Sequence, residues 1–447
     1  MLLEETHPVQ IEHLTILCLT LLVIRYGWQV NRGRWRRWWK QTKDRLPRHW
    51  HPKSPHDCPH CRAGVKLELA RVNPSVRPWR EQKSQRGAKK RIRTQGLACL
   101  NLACPYFGVT DEQVHAVVGN GKRGKDHDIQ YLKCQACQKA FTCRKGTPLY
   151  YLKTKTERVE MVLWFLVEGV DLSVMVRYTG HGDATIARWL NRMGEHSAGL
   201  HNVFFRNLAI ALVQFDELYA RVRTNEKARW LWLAIDPVSK ALPALHLGGR
   251  TSADAYAVVH DFKERLRSEC VPAATSDGLR SYFYALTAHF GFWFRPKRAR
   301  TDHWQPSDDL LIGQLVKRRE RYTVTFTLTR MLWGKRRALF ARLTAHGFRS
   351  TIQTAFIERV NLTIRQGVSL LTRRTWSLAQ TDRQLLLHVE WWRAYYHFVR
   401  PHESLCQPVP GLQRRYQQRT PAMALGLTDH LWSVRDILCC PLIPAVE

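Results

Sequence analysis

The stretch Leu212-Val213-Gln214-Phe215-Asp216-Glu217 has the apolar, β-prone character of a buried strand and ends in two acidic residues. It lies within a longer segment, Ala211 to Val222, that predicts the first strand of a sheet. Arg229 to Asp236 and Leu242 to Leu247 predict the next two strands in the same way. We therefore expect three consecutive strands that form a meander.

After the meander the pattern alternates between helix and strand. Ser252 to Arg267 predicts a helix, Pro272 to Thr275 a short buried strand, and Arg280 to His289 a second helix. This order is the α/β layout of ribonuclease-H-like nucleases, in which the first strand and the end of a later strand carry metal-binding acids. The sequence therefore predicts a mixed sheet that is flanked by helices.

Three acidic residues occupy positions of that kind. Asp216 lies on the first strand after an apolar run, Asp277 follows the short buried strand, and Glu358 opens an amphipathic helix that continues through Asn361 and Arg365. Phosphodiester chemistry with two metal ions uses one Mg²⁺ or Mn²⁺ at the attacking oxygen and one at the leaving oxygen. We predict that Asp216 bridges the two ions, that Asp277 binds one of them, and that Glu358 binds the other.

Each of these acids also has a plainer explanation when it is considered alone. Asp277 stands before a glycine and suits a turn, Glu358 suits a solvated helix position, and Asp216 suits the end of a strand. The occurrence of all three on the expected types of element is what favours a catalytic site.

Two other acids compete for the same roles. Asp236 also ends an apolar strand, but Pro237 after it indicates a hairpin turn. Glu217 is a candidate in place of Asp216. Because successive strand residues point to opposite faces, only one of these two side chains is expected to reach the site.

The charge of the chain points to nucleic acid as its partner. Lys and Arg number 70 against 37 Asp and Glu, which gives a formal net charge of +33 over 447 residues. Such an excess binds polyanions through the release of counterions. An anionic membrane or a ribosome-like scaffold is the alternative, but the basic residues lie among folded segments and not in a tail. With 45% hydrophobic residues, the chain is not expected to be disordered.

An apolar run near the start, Leu14 to Ile24, resembles a signal or membrane anchor. It is shorter than the roughly 20 residues that a bilayer span needs, and acidic residues precede it where a signal is basic. We therefore expect a packed helix and a cytoplasmic protein with no stable membrane association. Basic residues after the run leave membrane association as an alternative.

The cysteine spacing predicts a structural zinc site. Cys99-x4-Cys104 and Cys134-x2-Cys137 are two knuckles whose turns can converge on one tetrahedral Zn²⁺. A further pair, Cys58-x2-Cys61, has three open assignments: a second metal site, ligands shared with the first site, or free thiols.

Three apolar stripes between Thr156 and His196 have helical spacing, and the turn Gly180-His181-Gly182 separates the last two. This is a helix-turn-helix pattern. The last helix carries Arg188, Asn191 and Arg192 on its polar side, which we expect to contact the major groove of DNA. A three-helix linker bundle would give the same apolar pattern.

The chain resembles bacterial insertion-sequence transposases of the DDE class over about residues 57–404. The matching motifs are Cys99-Leu-Asn-Leu-Ala-Cys104-Pro-Tyr-Phe-Gly108, Tyr131-Leu-Lys-Cys134-Gln-Ala-Cys137, Gly146-Thr147-Pro148-Leu149-Tyr150, Phe215-Asp216-Glu217, Trp230-Leu-Trp-Leu-Ala-Ile-Asp236, Ser276-Asp277-Gly278, Ile357-Glu358-Arg359-Val360-Asn361-Leu362-Thr363-Ile364-Arg365 and Tyr395-Tyr396-His397-Phe398-Val399-Arg400-Pro401-His402-Glu403-Ser404-Leu405. Residues 1–57 and the pair Cys58/Cys61 depart from the family.

The resemblance implies a zinc ribbon and a helix-turn-helix joined to a ribonuclease-H-like core, in a bacterial protein that associates with the nucleoid. It implies that Asp216, Asp277 and Glu358 form the metal-binding triad, and that Asn361 and Arg365 support the triad or DNA. The expected organisation is an apolar helix and basic arm (1–57), a zinc-ribbon region (58–150), a helix-turn-helix (151–205), the catalytic domain (206–405) and a C-terminal tail (406–447).

The expected activity is that of a DNA transposase. Such an enzyme binds the inverted repeats at the ends of its element as a dimer or larger assembly, hydrolyses a phosphodiester at each end, and joins the freed 3′-hydroxyl to target DNA. Two alternatives remain. One is a catalytically silent, transposon-derived DNA-binding regulator, and the other is a structure-selective nuclease with the same core.

Overall fold

A computed structural model describes residues 67–68, 76–82, 92–124, 129–223, 228–296, 301–320, 323–373, 377–409 and 415–444. The strands are β1 (Leu67–Glu68), β2 (Val117–Arg123), β3 (Ile129–Cys134), β4 (Ala140–Thr142), β5 (Leu212–Ala220), β6 (Arg229–Ile235), β7 (Ala244–Gly248), β8 (Ala273–Ser276), β9 (Gly291–Phe294), β10 (His303–Pro306), β11 (Leu311–Glu320), β12 (Thr323–Trp333), β13 (Gln407–Pro408), β14 (Tyr416–Gln417) and β15 (Ile443–Pro444). The α-helices are α1 (Trp79–Gln82), α2 (Thr156–Val167), α3 (Leu172–Thr179), α4 (Asp183–Phe204), α5 (Ser252–Arg265), α6 (Ser281–His289), α7 (Arg336–Ala345), α8 (Ala355–Gly367), α9 (Asp382–Phe398), α10 (Pro421–Ala424) and α11 (Val434–Cys439). Short 3-10 helices span Ser369–Leu371 and Glu403–Leu405.

A six-stranded sheet with the order β12-β11-β8-β5-β6-β7 forms the centre of the fold. Strand β5 runs antiparallel to β6 and parallel to β8, and β8 runs parallel to β11. The sheet is therefore mixed. The antiparallel strands β5, β6 and β7 form the predicted meander, and the crossover to β8 runs through α5.

Helices cover both faces of this sheet. On one face, the ring of Phe215 in β5 packs against Phe262 of α5 and Tyr282 of α6. On the other face, Gln214 accepts a hydrogen bond from the backbone amide of Ile357 in α8 at 3.1 Å. Neighbouring strand residues point to opposite faces, as these contacts require. The predicted mixed α/β architecture is confirmed.

The predicted elements of this region are confirmed with small shifts of their ends. The observed strands and helices from β5 to α6 begin and end within two residues of the predicted limits. Strand β7 shows the largest shift at its start: it begins at Ala244, two residues after the predicted Leu242. Pro243 between them has no N–H group to donate to a ladder.

Helices α2, α3 and α4 share one hydrophobic core with the sheet. Gly180 ends α3 with a φ of 70°, a left-handed conformation that glycine adopts without strain. Helix α4 packs along α9, and a Cβ at Gly194 would come within 2.3 Å of the carbonyl oxygen of Leu387. The indole of Trp391 donates to the carbonyl of Leu163 at 3.0 Å. Helix α9 therefore connects the helical segment to the sheet.

Strands β2, β3 and β4 form a separate three-stranded antiparallel sheet next to the four predicted metal-ligating cysteines. Its hydrophobic cluster is small. The buried side chains besides the cysteines are Tyr106, Ala116, Val117 and Leu132. A core of this size contributes little stabilisation of its own.

Among the described residues, those from Val316 to Leu328 in β11 and β12 group apart from the remainder. Their apolar side chains Val324, Phe326 and Leu328 are each more than 40% exposed. In the described part of the chain, no helix is both long enough and apolar enough to cross a membrane. The run Leu14 to Ile24, the basic arm and the pair Cys58/Cys61 lie outside the described residues.

Candidate active site and cysteine cluster

The strand register brings Asp216 and Asp277 together. Phe215 of β5 and Ser276 of β8 are the last paired residues of these two parallel strands. The residues that follow them, Asp216 in the middle of β5 and Asp277 just beyond the end of β8, therefore lie side by side. Carboxylate oxygens of Asp216, Asp277 and a third acid, Glu217, all lie within 4.8 Å of one another, a grouping that is able to hold a metal ion.

Helix α8 approaches this edge through two amide side chains. Gln214 anchors its start, because its Nε2 donates to the carbonyl of Gln353 at 2.9 Å while its oxygen accepts from Ile357. One turn into the helix, Asn361 Nδ2 donates to Asp216 Oδ2 at 2.7 Å. The other amide atom, Asn361 Oδ1, is a buried acceptor without a hydrogen-bond partner. Asn361 therefore holds the carboxylate of Asp216 and leaves an oxygen at the site.

Glu358 lies close to these acids, but it is not one of the three that group within 4.8 Å. Its side chain is exposed and accepts a hydrogen bond from the Thr354 hydroxyl at 2.8 Å. Its charge is one of the causes that raise the pKa of Asp216, after burial, Glu217 and Asp277. Glu358 thus stands on the exposed side of the acidic group, at the start of α8.

The expectation that only one of Asp216 and Glu217 reaches the site is wrong. Strand alternation itself holds: Asp216 bonds to α8, whereas Glu217 Oε2 accepts from the Tyr282 hydroxyl of α6 at 3.2 Å. The pairing of β5 with β8 ends at Phe215, so no strand separates the two faces beyond that point. Side chains from both faces of β5 therefore meet beyond the end of β8.

Glu217 is neutralised by a residue that the sequence did not indicate, Arg250. The guanidinium Nε donates to Glu217 Oε1 at 2.9 Å, and Nη2 makes a second, shorter contact with the same oxygen. The guanidinium also lies 4.5 Å from the ring centroid of Trp230. The only sequence signal was the turn Gly248-Gly249-Arg250 before α5, which does not reveal contact with β5.

Crowding of these carboxyl groups disfavours their ionisation. Burial, and then the charges of Glu217 and Asp277, raises the pKa of Asp216 well above its ordinary value. Burial and Asp277 raise the pKa of Glu217 to about 7, although Arg250 opposes the shift. Burial and Glu217 raise the pKa of Tyr282 as well. A divalent cation would relieve this repulsion, because it favours the charged form of each carboxyl group.

We expect Arg250→Ala to lower the free energy of unfolding by about 3 kcal/mol, because it leaves Glu217 buried without its countercharge. The side chains of Arg250 and Glu217 are only 13% and 2% exposed. Chemical denaturation, followed by tryptophan fluorescence, measures the change. The double variant Arg250→Ala/Glu217→Gln should recover much of the loss.

Arg383→Ala is the matched control for Arg250→Ala. Its pair with Glu195 is well exposed, with side-chain exposures of 67% and 52%. An exposed pair contributes less than about 1 kcal/mol. Equal decreases in the free energy of unfolding of the two single variants would show that burial does not govern the contribution of Arg250 to stability.

The alternative acid Asp236 belongs to a turn, as its sequence context indicated. Its carboxylate accepts from the amides of Val238 and Ser239 at 2.9 and 3.1 Å and from the Ser239 hydroxyl. Its own amide donates to the carbonyl of Ala241 at 2.9 Å. These bonds account for Asp236 without a role at the acidic group.

Arg365 makes contacts within the protein. Its guanidinium donates to the carbonyl of Leu371 at 3.0 Å and to the carbonyl of Tyr219 in β5 at 3.2 Å. Burial lowers its pKa to about 10. Arg365 therefore attaches α8 to the end of β5, close to the acids that β5 carries.

The four predicted cysteine ligands come together in the small sheet. The sulfur atoms of Cys99 and Cys137 are 3.6 Å apart, those of Cys104 and Cys134 are 3.8 Å apart, and all four lie within 4.8 Å of one another. The hydrogen bond between Cys99 and Cys134 lowers the pKa of Cys134 to about 5 and raises that of Cys99. This arrangement is a possible metal site. Cys58 and Cys61 lie outside the described residues.

The three residues of α4 that were predicted to contact the major groove differ in their environments. Arg188 is exposed on α4, and Asn191 is partly buried. Arg192 donates from Nη2 to the carbonyl of Tyr150, and burial lowers its pKa. Arg192 therefore attaches α4 to the segment before α2, while Arg188 faces solvent.

No protein-family model matches the chain, and no curated protein matches it.

Proposed function

We propose that this chain is a DNA transposase of the DDE class with a ribonuclease-H-like core. The observation that carries the proposal is the meeting of Asp216 in β5 with Asp277 at the end of the parallel strand β8, next to Glu358 on a helix that bonds to Asp216. A net charge of +33 supports DNA as the substrate.

The acids would hold two Mg²⁺ or Mn²⁺ ions, with Asp216 between them. Asp277 would bind one ion and Glu358 the other. The ions would lower the pKa of the attacking water or 3′-hydroxyl and stabilise the leaving oxygen. The repulsion that raises the pKa of Asp216 supports this assignment, since the site favours a cation. Asn361 would fix the orientation of the Asp216 carboxylate through its bond at 2.7 Å.

The cysteine cluster would bind a structural Zn²⁺ in a zinc ribbon. Tetrahedral zinc with Zn–S distances of about 2.3 Å requires sulfur atoms about 3.8 Å apart. The separations of 3.6 and 3.8 Å fit that requirement and are far longer than the roughly 2.05 Å of a disulfide.

Helices α2 to α4 would form the helix-turn-helix that binds the element ends, with α4 in the major groove. The tight turn at Gly180 and the exposed position of Arg188 near the start of α4 support this role. The close packing of α4 on α9 would then couple DNA binding to the core, because Gly194 of α4 lies against the backbone of Leu387 in α9.

A strand-transfer assay tests the proposal. Purified full-length protein is incubated with labelled duplexes taken from the DNA on either side of its coding region, in Mg²⁺ or Mn²⁺. We expect joined products that require the divalent metal and both element ends, because two ends must be held by a dimer or larger assembly. Duplexes of scrambled end sequence are the control.

The other outcomes identify the alternatives. Specific binding without cleavage or joining would favour the DNA-binding regulator. Cleavage of branched junctions without joining would favour the structure-selective nuclease. Joined products in EDTA would contradict the role of the acids as metal ligands.

A further inference from the structure

Glu217 belongs to the acidic group but has no part in the proposed triad. Its carboxylate, and not that of Glu358, groups with those of Asp216 and Asp277 within 4.8 Å. The side chain of Glu217 is 2% exposed, whereas Glu358 is an exposed residue. Carboxylates are rarely buried unless they are paired or bind a metal ion. The close group of carboxyl oxygens therefore includes a buried acid that the triad does not use.

The hydrogen bonds of Glu217 fix its carboxylate and leave it able to accept another partner. An ionised carboxylate has about four acceptor sites on its two oxygens. The guanidinium of Arg250 donates twice to Oε1, and the Tyr282 hydroxyl donates to Oε2 at 3.2 Å. Among the described residues, Oε2 thus accepts one hydrogen bond and keeps a second acceptor site. The side chain is held in a single orientation beside the two aspartates.

An amide oxygen lies next to the same group without a donor. Asn361 Nδ2 donates to Asp216 Oδ2 at 2.7 Å, while Asn361 Oδ1 is a buried acceptor with no partner in the described part of the chain. The two amide atoms share one carbon, so Oδ1 lies within about 5 Å of that carboxylate oxygen. A buried acceptor without a donor indicates that a water molecule or an ion completes the site. Hard divalent cations take carboxylate and amide oxygens as ligands.

Arg250 adjusts the charge of this group to that of one divalent cation. Asp216, Glu217 and Asp277 carry three negative charges when they are ionised, and Arg250 carries one positive charge, since arginine stays protonated in proteins. The net charge of −2 is neutralised by a single divalent ion. A second ion would need two further negative charges, which Glu358 and a phosphodiester of DNA would bring.

We propose that Glu217 is a metal ligand and that, together with Asp216 and Asp277, it binds one divalent cation in the protein before DNA is bound. This rests on the proposed function, because it concerns the same acidic group. Arg250 is a positioning residue, which holds Glu217 Oε1 and leaves Oε2 for the ion. Glu358 is not needed for this ion and serves the second one, which enters with the DNA.

Titration of Mn²⁺ into full-length protein without DNA tests the proposal. The electron paramagnetic resonance signal of free Mn²⁺ measures how much of the metal is bound. We expect the wild type to bind one Mn²⁺ per chain at pH 8. Loss of a group that only supports a ligand weakens metal binding about 10- to 100-fold, so Glu217→Gln should weaken it at least about 10-fold. Glu358→Gln should bind this one ion with the affinity of the wild type.

Two further variants separate ligation by Glu217 from its charge. Arg250→Ala/Glu217→Gln keeps the net charge of −2 but lacks the Glu217 carboxylate, and it should also bind Mn²⁺ at least about 10-fold more weakly than the wild type. Arg250→Ala keeps all three carboxylates and should bind Mn²⁺ at least as tightly as the wild type. The double variant also carries the test if Glu217→Gln does not fold, because it leaves no unpaired charge of that ion pair.

Asp236→Asn is the matched control for the removal of a buried carboxylate. Asp236 is 4% exposed and accepts its hydrogen bonds within a turn. This variant should bind Mn²⁺ as the wild type does, and circular dichroism verifies that each variant is folded.

Three results would overturn the proposal. Affinity of the wild type in both Glu217→Gln and the double variant would show that Glu217 is only the ion-pair partner of Arg250. Loss of the ion in Glu358→Gln would assign that ion to Glu358. A wild type that binds no Mn²⁺ without DNA would reject the proposal directly. Each of these results, combined with metal-dependent joining in the strand-transfer assay, would leave the proposed function intact. Binding through Glu217 without cleavage or joining would instead reject the proposed function and keep Glu217 as a ligand.

Discussion

Asp216→Asn and Asp277→Asn are each expected to lower strand joining by at least about 10³-fold. The ions that these carboxylates would hold stabilise the transition state by several kcal/mol, and each 1.36 kcal/mol is a factor of ten. Glu358→Gln should lose joining to a similar extent. The rate of joined-product formation under single-turnover conditions measures the effect.

Asp216→Asn should also raise the melting temperature of the metal-free protein. Asp216 is half-enclosed between Glu217 and Asp277, and burial and these charges raise its pKa. A carboxyl group whose pKa is raised on folding stabilises the protein fully only below its unfolded pKa of about 4, and that stability is lost as the pH rises through the folded value. At neutral pH the uncharged side chain of the Asp216→Asn variant therefore removes the repulsion from Glu217 and Asp277. Its amide oxygen can still accept the hydrogen bond that Asn361 donates.

Calcium binding distinguishes the removal of carboxylate repulsion from a general loss of stability in these variants. Ca²⁺ should raise the melting temperature of the wild type at pH 8 but not that of Asp216→Asn or Asp277→Asn. Asp236→Asn is the matched control, because Asp236 is a buried acid that serves a turn. It should keep the calcium response and the joining rate of the folded protein. Normal joining by Asp216→Asn would refute the assigned site.

The sequence predicted that Asp216 and Asp277 lie close together, because their positions depend on local patterns. Each follows a run of β-prone residues, and parallel strands place their carboxyl ends on one edge. Phe215 pairs with Ser276. This pairing brings the two acids together, and it follows once the order of the strands is correct. The mixed sheet was predicted for the same reason.

The contacts of Glu217 were not predictable from alternation along one strand. Its position at the site depends on where the neighbouring strand β8 ends, and its charge state depends on Arg250, which is 33 residues away in a turn. The inward bonds of Arg192 and Arg365 were missed for a similar reason. A basic residue on the polar side of a helix can donate a hydrogen bond to a carbonyl of a distant segment. The spacing of residues within the helix does not reveal such a bond.

The last prediction concerns the cysteine cluster. Cys134→Ser is expected to remove one zinc ion per chain and to unfold the segment from Ile92 to Arg144. In the described part of this segment, the buried apolar cluster contains two large side chains besides the cysteines, Tyr106 and Leu132. Zinc bound by four thiolates contributes about 10 kcal/mol or more to folding, which exceeds what so small a core supplies. A serine hydroxyl is a poor zinc ligand, so most of that stabilisation is lost.

Metal analysis by mass spectrometry and hydrogen exchange of the backbone amides measure the two effects together. Amides of β2 and β3, such as Val117 and Leu132, should lose protection, while those of β5 should keep it, because the central sheet has its own large core. Cys143→Ser is the control within the same region, since its sulfur is not among the four grouped atoms. Unchanged zinc content and protection in Cys134→Ser would show that the four sulfur atoms do not bind the ion. Loss of protection in β5 as well would show that the cysteine segment folds as one cooperative unit with the central sheet.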